Sequence, residues 1–401
     1  MSIRPQKAGV AASWQEAAAA PEPAAFTRPG AQGHPRAADT QRIRRTLALT
    51  STILVALGAS GTSRAAQPAV PAAIAPVAPV IASWADAEIR TVTAVAILGN
   101  DPAMFRPSEP LTRGELAEAL AAWGKPSATP ADPTRLVTMR ELDAQLVGAL
   151  GLLPAARRIR IAARDAGLAP TSMLGTETVA RLLGLRLNHP VGSDDLELLP
   201  SQPATRAEAA YSLARALKLT TGQITWVDQL SQTFSLPELG DWQRAVLGRA
   251  LRFVGYPYVW AGASEATQKL WSATAPGGSV TAPGGFDCSG FVWRVYKTKP
   301  FAGAPLLGDI LKGRTTYVMS SEVKKPARIG LADLLPGDII FFGSRAALST
   351  PAEIGHMGIY VGNGWFVHSS SAGVTLRPLQ GWYSTTFAWA RRPLTEAGLT
   401  A

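Results

Sequence analysis

The chain contains one cysteine, Cys288, and four histidines, so any thiol chemistry can be traced to very few residues. Cys288 lies in the segment Phe-Asp-Cys-Ser-Gly-Phe over 286–291, and apolar spacing typical of a helix begins at the cysteine. Asp287 has a side chain suited to an N-cap. The thiol is therefore predicted in the first turn of a helix, where free amides and the helix dipole favour the thiolate.

A lone cysteine is more often an inert buried residue than a nucleophile, and it excludes an intrachain disulfide. The histidines argue for chemistry, because His356 and His368 both lie in one predicted hairpin. Its strands are predicted over 354–361 and 365–370, and Gly362-Asn-Gly364 supplies the turn. A partner imidazolium on this hairpin would lower the thiol pKa further.

The strand register decides whether the two imidazoles can cooperate. A two-residue Asn-Gly loop pairs Gly362 with Trp365 and puts the two histidines on opposite faces of the hairpin. A loop of three to five residues places His356 directly across from His368, with Cβ atoms about 5 Å apart. We predict this second register, in which His356 takes the thiol proton and His368 orients His356.

These segments resemble the NlpC-type cysteine peptidases, which are small papain-like α+β domains with an antiparallel sheet and an N-terminal catalytic helix. The resemblance spans 241–395 and rests on motifs over 286–291, 334–342, 355–364 and 367–370. It implies that Cys288 is the nucleophile, His356 the base and His368 the third polar residue. It also implies that three further residues bind substrate: Tyr258, Asp287 and Ser289.

The resemblance implies a peptidoglycan hydrolase that cuts stem peptides at the γ-D-glutamyl–meso-diaminopimelate bond or a neighbouring bond, without a cofactor. Two alternatives remain open, namely a catalytically silent wall-binding protein and an acyltransferase that uses the same nucleophile. The sequence departs from the family pattern at Trp260-Ala-Gly262, where the family has Trp-Gly-Gly. The stretch 263–285 is also long, and it is either a passive loop or a lid over the cleft.

A Thr-x-x-Glu pattern recurs upstream, starting at Thr112, Thr138 and Thr205. In each copy the Thr can accept from the third amide of a helix while the Glu reaches back to the cap, so the pattern predicts three helix starts. The pattern, with its preceding prolines, resembles S-layer homology repeats and predicts an all-α region over 81–220. The resemblance implies binding to anionic secondary cell-wall polymers, and the alternative is a helical spacer without a ligand site.

The composition agrees with globular domains, since 47% of the 401 residues are hydrophobic and 17% are charged. The formal net charge of +10 favours anionic surroundings but does not choose among wall polymer, membrane surface and nucleic acid. The arginine-rich stretch 155–165 is interpreted as a charged helix face, with a polymer contact as the alternative. We found no metal-ligand spacing, phosphate-binding loop or nucleic-acid motif.

The N-terminal part has the pattern of an export signal. A leader over 1–41, predicted to be disordered, precedes a segment over 42–66 with a basic start, an apolar run and a small-x-small site. The apolar run is shorter than the about 20 residues needed to cross a bilayer. An Ala/Pro linker over 67–80 follows, and a second linker is expected over 221–240. The protein is therefore expected to be secreted and associated with the cell wall.

Overall fold

The computed structural model describes residues 83–186, 197–271 and 276–399. The predicted leader, signal segment and Ala/Pro linker, which together cover 1–80, lie outside the described residues. Within the described ranges, no helix is long and apolar enough to cross a membrane.

The upstream region is helical, as the sequence predicted. Its helices are α1 (Asp86–Thr93), α2 (Arg113–Ala122), α3 (Met139–Ala149), α4 (Leu153–Asp165), α5 (Leu174–Leu183), α6 (Arg206–Leu217) and α7 (Thr221–Thr233). The prediction of a linker over 221–240 was wrong, because α7 occupies most of it. Thr220 caps this helix, and Val227 and Leu230 are buried.

Each Thr-x-x-Glu motif begins a helix, as predicted. Thr112, Thr138 and Thr205 each accept a hydrogen bond from the amide of the glutamate three residues later. The segments that carry the caps also meet in space through isolated bridges, which join Thr112 to Leu136, Thr138 to Pro203 and Pro110 to Thr205. The repeats therefore pack around one common centre.

Ion pairs connect the first motif to each of the other two. Arg113 of the first motif contacts Glu141 of the second at 2.6 Å, and Arg206 of the third contacts Glu115 of the first at 2.5 Å. The second motif has Met139 in the arginine position, and this side chain is fully buried. Arg113 and Arg206 thus each take part in an ion pair between motifs.

The C-terminal region contains the strands. The helices here are α8 (Asp241–Leu251), α9 (Cys288–Trp293), α10 (Pro305–Asp309), α11 (Thr316–Ser321), α12 (Trp382–Thr386) and α13 (Pro393–Glu396). The strands are β1 (Ala263–Ser264), β2 (Gln268–Trp271), β3 (Ser279–Ala282), β4 (Gly285–Phe286), β5 (Ile339–Gly343), β6 (Ile354–Gly362), β7 (Trp365–Ser370), β8 (Gly373–Pro378) and β9 (Phe387–Arg391).

A five-stranded antiparallel sheet with the order β8-β7-β6-β5-β9 forms the centre of this region. Helix α9 packs against β6 and β7, so the nucleophile helix lies on the strands that carry the histidines. The alternating segments that predicted these strands are almost entirely buried. This is the predicted α+β domain with an antiparallel sheet and an N-terminal helix.

The long stretch 263–285 is ordered into strands where it is described. Strand β2 pairs with β3 as a hairpin, and β1 pairs with β4 at its base. Just before it, Ala261 has φ of 62°, a left-handed conformation that favours glycine. The substitution of alanine for the family glycine therefore strains this turn.

Candidate active site

The nucleophile candidate sits where the sequence predicted. Asp287 has an extended backbone and its carboxylate accepts from the amide of Gly290, so helix α9 begins at Cys288. The thiol is nearly enclosed, with 8% of the residue exposed. Backbone amides of Ser289 and Met357 interact with the sulfur, and Met357 directly follows His356 on β6.

The histidine hairpin differs from both registers considered for it. Gly362 pairs with Trp365, as a two-residue loop requires. A bulge at Val361 then shifts the register of the rest of β6, so that Ile359 pairs with Val367. This register puts Gly358, not His356, opposite His368. The predicted direct pairing of the two histidines was wrong, yet the bulge brings both onto one face as diagonal neighbours.

The two imidazoles are in contact. Nε2 of His356 lies 2.8 Å from Nδ1 of His368, a hydrogen bond in which either nitrogen can donate according to the tautomers. Gly358 makes room for this arrangement, since a Cβ there would lie 3.0 Å from Cβ of His368 and 2.9 Å from the Phe366 ring. When Nε2 of His356 donates, its Nδ1 is left free to accept a proton.

Aromatic rings enclose the imidazole pair. Phe342 stacks on His356 with ring centroids 5.6 Å apart, and Phe366 lies 4.6 Å from His368. Tyr383 contacts the His368 ring at 5.1 Å, and the half-exposed Trp382 lies 6.5 Å from the His356 ring. These rings exclude water from both imidazoles. They also leave few polar groups nearby to stabilise a positive charge on either imidazole.

Burial affects the charge states of the Cys288 thiol and of the two imidazoles. It raises the pKa of Cys288 to about 12, with the Asp287 charge adding to the effect, although Arg314 and the two amides oppose it. Burial lowers the pKa of His356 to about 4 and holds the pKa of His368 well below its usual value. Burial of the sulfur therefore opposes the thiolate that the helix start favours. For Cys288 and for both histidines, burial favours the neutral form.

The three predicted substrate-binding residues gather around the same helix start. Tyr258 forms a bridge with Phe286, and burial, followed by the proximity of Cys288 and Asp287, raises its pKa. The Ser289 hydroxyl donates to Asp287 at 3.0 Å. Their roles toward a substrate stay predictions.

Arg314 belongs to this cluster, and the sequence reasoning missed it. Its guanidinium donates to the Ser289 hydroxyl at 2.7 Å, to the Asp287 carboxylate at 3.2 Å and to the Gly262 carbonyl at 3.0 Å. The residue lies in a loop before α11 with no periodic pattern around it, so only the tertiary fold brings it to the nucleophile helix.

Comparison with known families accounts for both regions. Residues 255–392 match the NlpC/P60 family, and residues 80–117 match the S-layer homology domain. The chain therefore contains a region similar to the NlpC/P60 family and a region similar to the S-layer homology domain. The NlpC/P60 match contains every candidate site residue, from Tyr258 to His368. The S-layer homology match contains the first of the three Thr-x-x-Glu motifs.

Curated relatives of the NlpC/P60 region carry names that agree on endopeptidase activity and differ on the bond. A probable endopeptidase of Mycobacterium tuberculosis is 35% identical over 34% of this chain and 26% of that protein. The bifunctional muramidase/DL-endopeptidase of Bacillus subtilis is 31% identical over 36% and 34%. The murein DD-endopeptidase of Escherichia coli is 26% identical over 39% and 48%.

The chain spans about a quarter to a half of the length of these relatives. Among solved structures, an NlpC/P60 family protein from Bacillus cereus is 25% identical and covers 40% of this chain and 43% of that one. The TM-score of this match is 0.28.

Proposed function

We propose that this protein is a peptidoglycan hydrolase, a cysteine endopeptidase that cleaves stem peptides of the bacterial cell wall. The bond proposed is the one between γ-D-glutamate and meso-diaminopimelate. The main support is the geometry of the two histidines. Their imidazoles lie 2.8 Å apart on β6 and β7, the strands against which the cysteine helix packs. The relative named as a DL-endopeptidase supports the choice of bond.

In this proposal Cys288 attacks the carbonyl carbon of the scissile amide while His356 takes the thiol proton. The sulfur–carbon bond forms, and the imidazolium returns the proton to the nitrogen of the leaving amine as the amide bond breaks. Water then attacks the thioester and gives its proton to His356. The free acid leaves, and the thiol and neutral imidazole are restored.

The proposed cycle requires one of the two tautomer arrangements that the histidine contact allows. His356 carries its proton on Nε2 and donates it to Nδ1 of His368, so Nδ1 of His356 is the basic atom. His368 then has its proton on Nε2, and this buried atom has no hydrogen-bond partner among the described residues. His368 thus acts as an acceptor that orients His356 and stabilises the imidazolium when it forms.

Burial that favours the neutral thiol and imidazole suits a nucleophile that is activated only in the reaction. Because both groups resist charging in the free protein, the proton transfer is best driven when a substrate carbonyl is present to receive the sulfur. The proposed ion pair therefore forms during attack and does not precede it.

The partner of the upstream region is proposed to be an anionic secondary cell-wall polymer, with the protein secreted and held at the wall. Support comes from the S-layer homology match and the formal charge of +10. Because Arg113 and Arg206 are engaged in ion pairs between repeats, we expect other residues to contribute to polymer binding as well.

A digest of purified muropeptides with the whole chain tests the enzyme proposal, with Cys288→Ala as the control. Mass spectrometry should find the two halves of the stem peptide, with a new amine on meso-diaminopimelate, only with the native protein. A new cross-linked product would indicate acyl transfer instead. Co-sedimentation with insoluble wall and no product from either protein would indicate wall binding alone and contradict the proposal.

A further inference from the structure

One arginine of the helical region reaches into the peptidase region. Arg181 on α5 is fully buried, and its guanidinium donates to the Gly255 carbonyl and to the Ala372 carbonyl, the latter at 2.8 Å. Glu197 balances its charge at 2.6 Å. Both carbonyls belong to the region that matches the NlpC/P60 family, although Arg181 lies outside it.

Two glycines fit the surface of α5 so closely that a side chain would not be accommodated. A Cβ on Gly255 would lie 2.4 Å from the Glu177 carboxylate, and a Cβ on Gly373 would lie 2.4 Å from the Arg181 guanidinium. Glu177 also belongs to α5. The contact is therefore a shaped interface, unlike the loose junction expected of a detachable anchor.

The two carbonyls that Arg181 holds belong to segments that lead to the active site. Gly255 begins the turn to Tyr258, which lies beside Cys288. Ala372 lies in the turn between β7 and β8, and β7 carries His368. The segments also join each other, because the Gly255 amide donates to Val374 at 2.9 Å and the Val374 amide donates to Tyr256 at 2.8 Å.

The other end of β7 is held by the helical region as well. The Phe234 ring, just after α7, meets Trp365 edge-on with centroids 5.0 Å apart. Asn363 in the β6–β7 turn donates to the Ser235 hydroxyl at 3.0 Å. The strand that carries His368 is thus braced at both ends by residues upstream of the peptidase helices.

We infer that Arg181 is a positioning residue for the peptidase, fixing the β7–β8 turn and the segment that leads to Tyr258. The helical region is then part of the active-site scaffold as well as a wall-binding module. This inference rests on the proposed function. Small displacements of a catalytic group lower turnover strongly, so loss of this contact should reduce catalysis by about tenfold or more.

The same buried cluster offers a matched control. Arg186 is equally buried and also pairs with Glu197, at 2.8 Å. Its other contacts described here, with Asp143 at 2.9 Å and the Leu198 carbonyl at 3.0 Å, lie inside the helical region. Arg181→Met and Arg186→Met each remove one buried guanidinium, but only the first removes contacts with the peptidase region.

The test compares both variants of the whole chain with the native protein, at equal folded fraction, on muropeptide. Arg181→Met should lower kcat by about tenfold or more with a smaller change in KM, while Arg186→Met stays within about twofold. Hydrogen exchange over 365–378 should accelerate only in Arg181→Met. Arg181→Lys should be intermediate, because one ammonium replaces a fork of donors.

Equal kcat and equal exchange in the two methionine variants would overturn the inference, even if both proteins lose thermal stability. Absence of cleavage by the native protein would instead contradict the proposed function. In that case the exchange over 365–378 still decides whether Arg181 holds the turn.

Discussion

The helical region and the peptidase region use their conspicuous polar residues in opposite ways. In the helical region the Thr-x-x-Glu residues find partners within the fold, in caps and in ion pairs such as Arg206 with Glu115. In the peptidase region the imidazole pair sits among aromatic rings, and Nε2 of His368 has no partner within the described ranges. Repeated polar residues whose hydrogen bonds are satisfied stabilise the fold. Buried polar residues that lack a hydrogen-bond partner are available for chemistry.

The largest expected effect is on catalysis by the imidazole. His356→Gln should lower kcat/KM on muropeptide by at least about a hundredfold, because it removes the proposed acceptor of the thiol proton. Steady-state kinetics measures the loss, and circular dichroism checks that the variant is folded. Retention of more than a tenth of the native activity would show that His356 is not the base.

The matching experiment in the helical region should affect stability and leave catalysis alone. The Arg206 side chain is 9% exposed and also donates to the Phe105 carbonyl, so Arg206→Met should cost about 3 kcal/mol of unfolding free energy. Arg113 is 34% exposed, and Arg113→Met should cost about 1 kcal/mol or less.

Urea unfolding measures both free energies, and turnover per folded molecule should equal that of the native protein. Equal stability losses in the two variants would contradict the assignment of Arg206 to the core. A fall in turnover in either would contradict the division between architecture and chemistry.

Acid should destabilise the peptidase region through its buried imidazoles. The pKa of His356 is about 4 in the folded chain and about 6.5 when unfolded, so the unfolded chain binds more protons between these values. Stability contributed by neutral His356 is complete above pH 6.5 and is lost as pH falls toward 4. The slope is at most about 1.4 kcal/mol per pH unit.

The helical region should respond in the opposite direction. Burial raises the pKa of Glu208 to about 8, so the folded chain holds a proton that the unfolded chain releases above about 4.5. Stability from this group is present at low pH and is lost as pH rises toward 8. The free energy of unfolding should be measured at several pH values. It should depend less on pH between about 4 and 6.5 in His356→Gln, and less on pH between about 4.5 and 8 in Glu208→Gln. Unchanged slopes would contradict these charge states.

The smallest expected effect comes from the strained turn beside Trp260. Ala261→Gly should raise the unfolding free energy by about 1 kcal/mol, because glycine adopts a positive φ without strain. Asn363→Gly is the control, and no gain is expected there, because asparagine tolerates its φ of 48° and the variant also loses the hydrogen bond to Ser235. A larger gain at position 363 than at 261 would contradict this account of the turn.

Local patterns predicted much of the molecule. The caps at Thr112 and Asp287, and the hairpin around Asn363, followed from short-range hydrogen bonding and alternation, which a sequence displays directly. The bulge at Val361 could not be predicted, because it depends on how β6 packs against its neighbours.

The electrostatics of the site also lay beyond the sequence. The first turn of a helix correctly located Cys288, but only the fold shows that the sulfur is enclosed and that its pKa is therefore raised. Arg314 joins Asp287 from a distant loop through tertiary structure alone. A local sequence pattern contains no information about burial or about long-range contacts.

The most direct test of the central claim is to trap the acyl group on the sulfur. Muropeptide is mixed with the whole chain, quenched in acid at early times, digested and analysed by mass spectrometry. The account predicts a hydroxylamine-sensitive acyl group on the peptide that contains Cys288, the single cysteine of the chain. Release of the amine by Cys288→Ala at the native rate, or an acyl group on another residue, would contradict it.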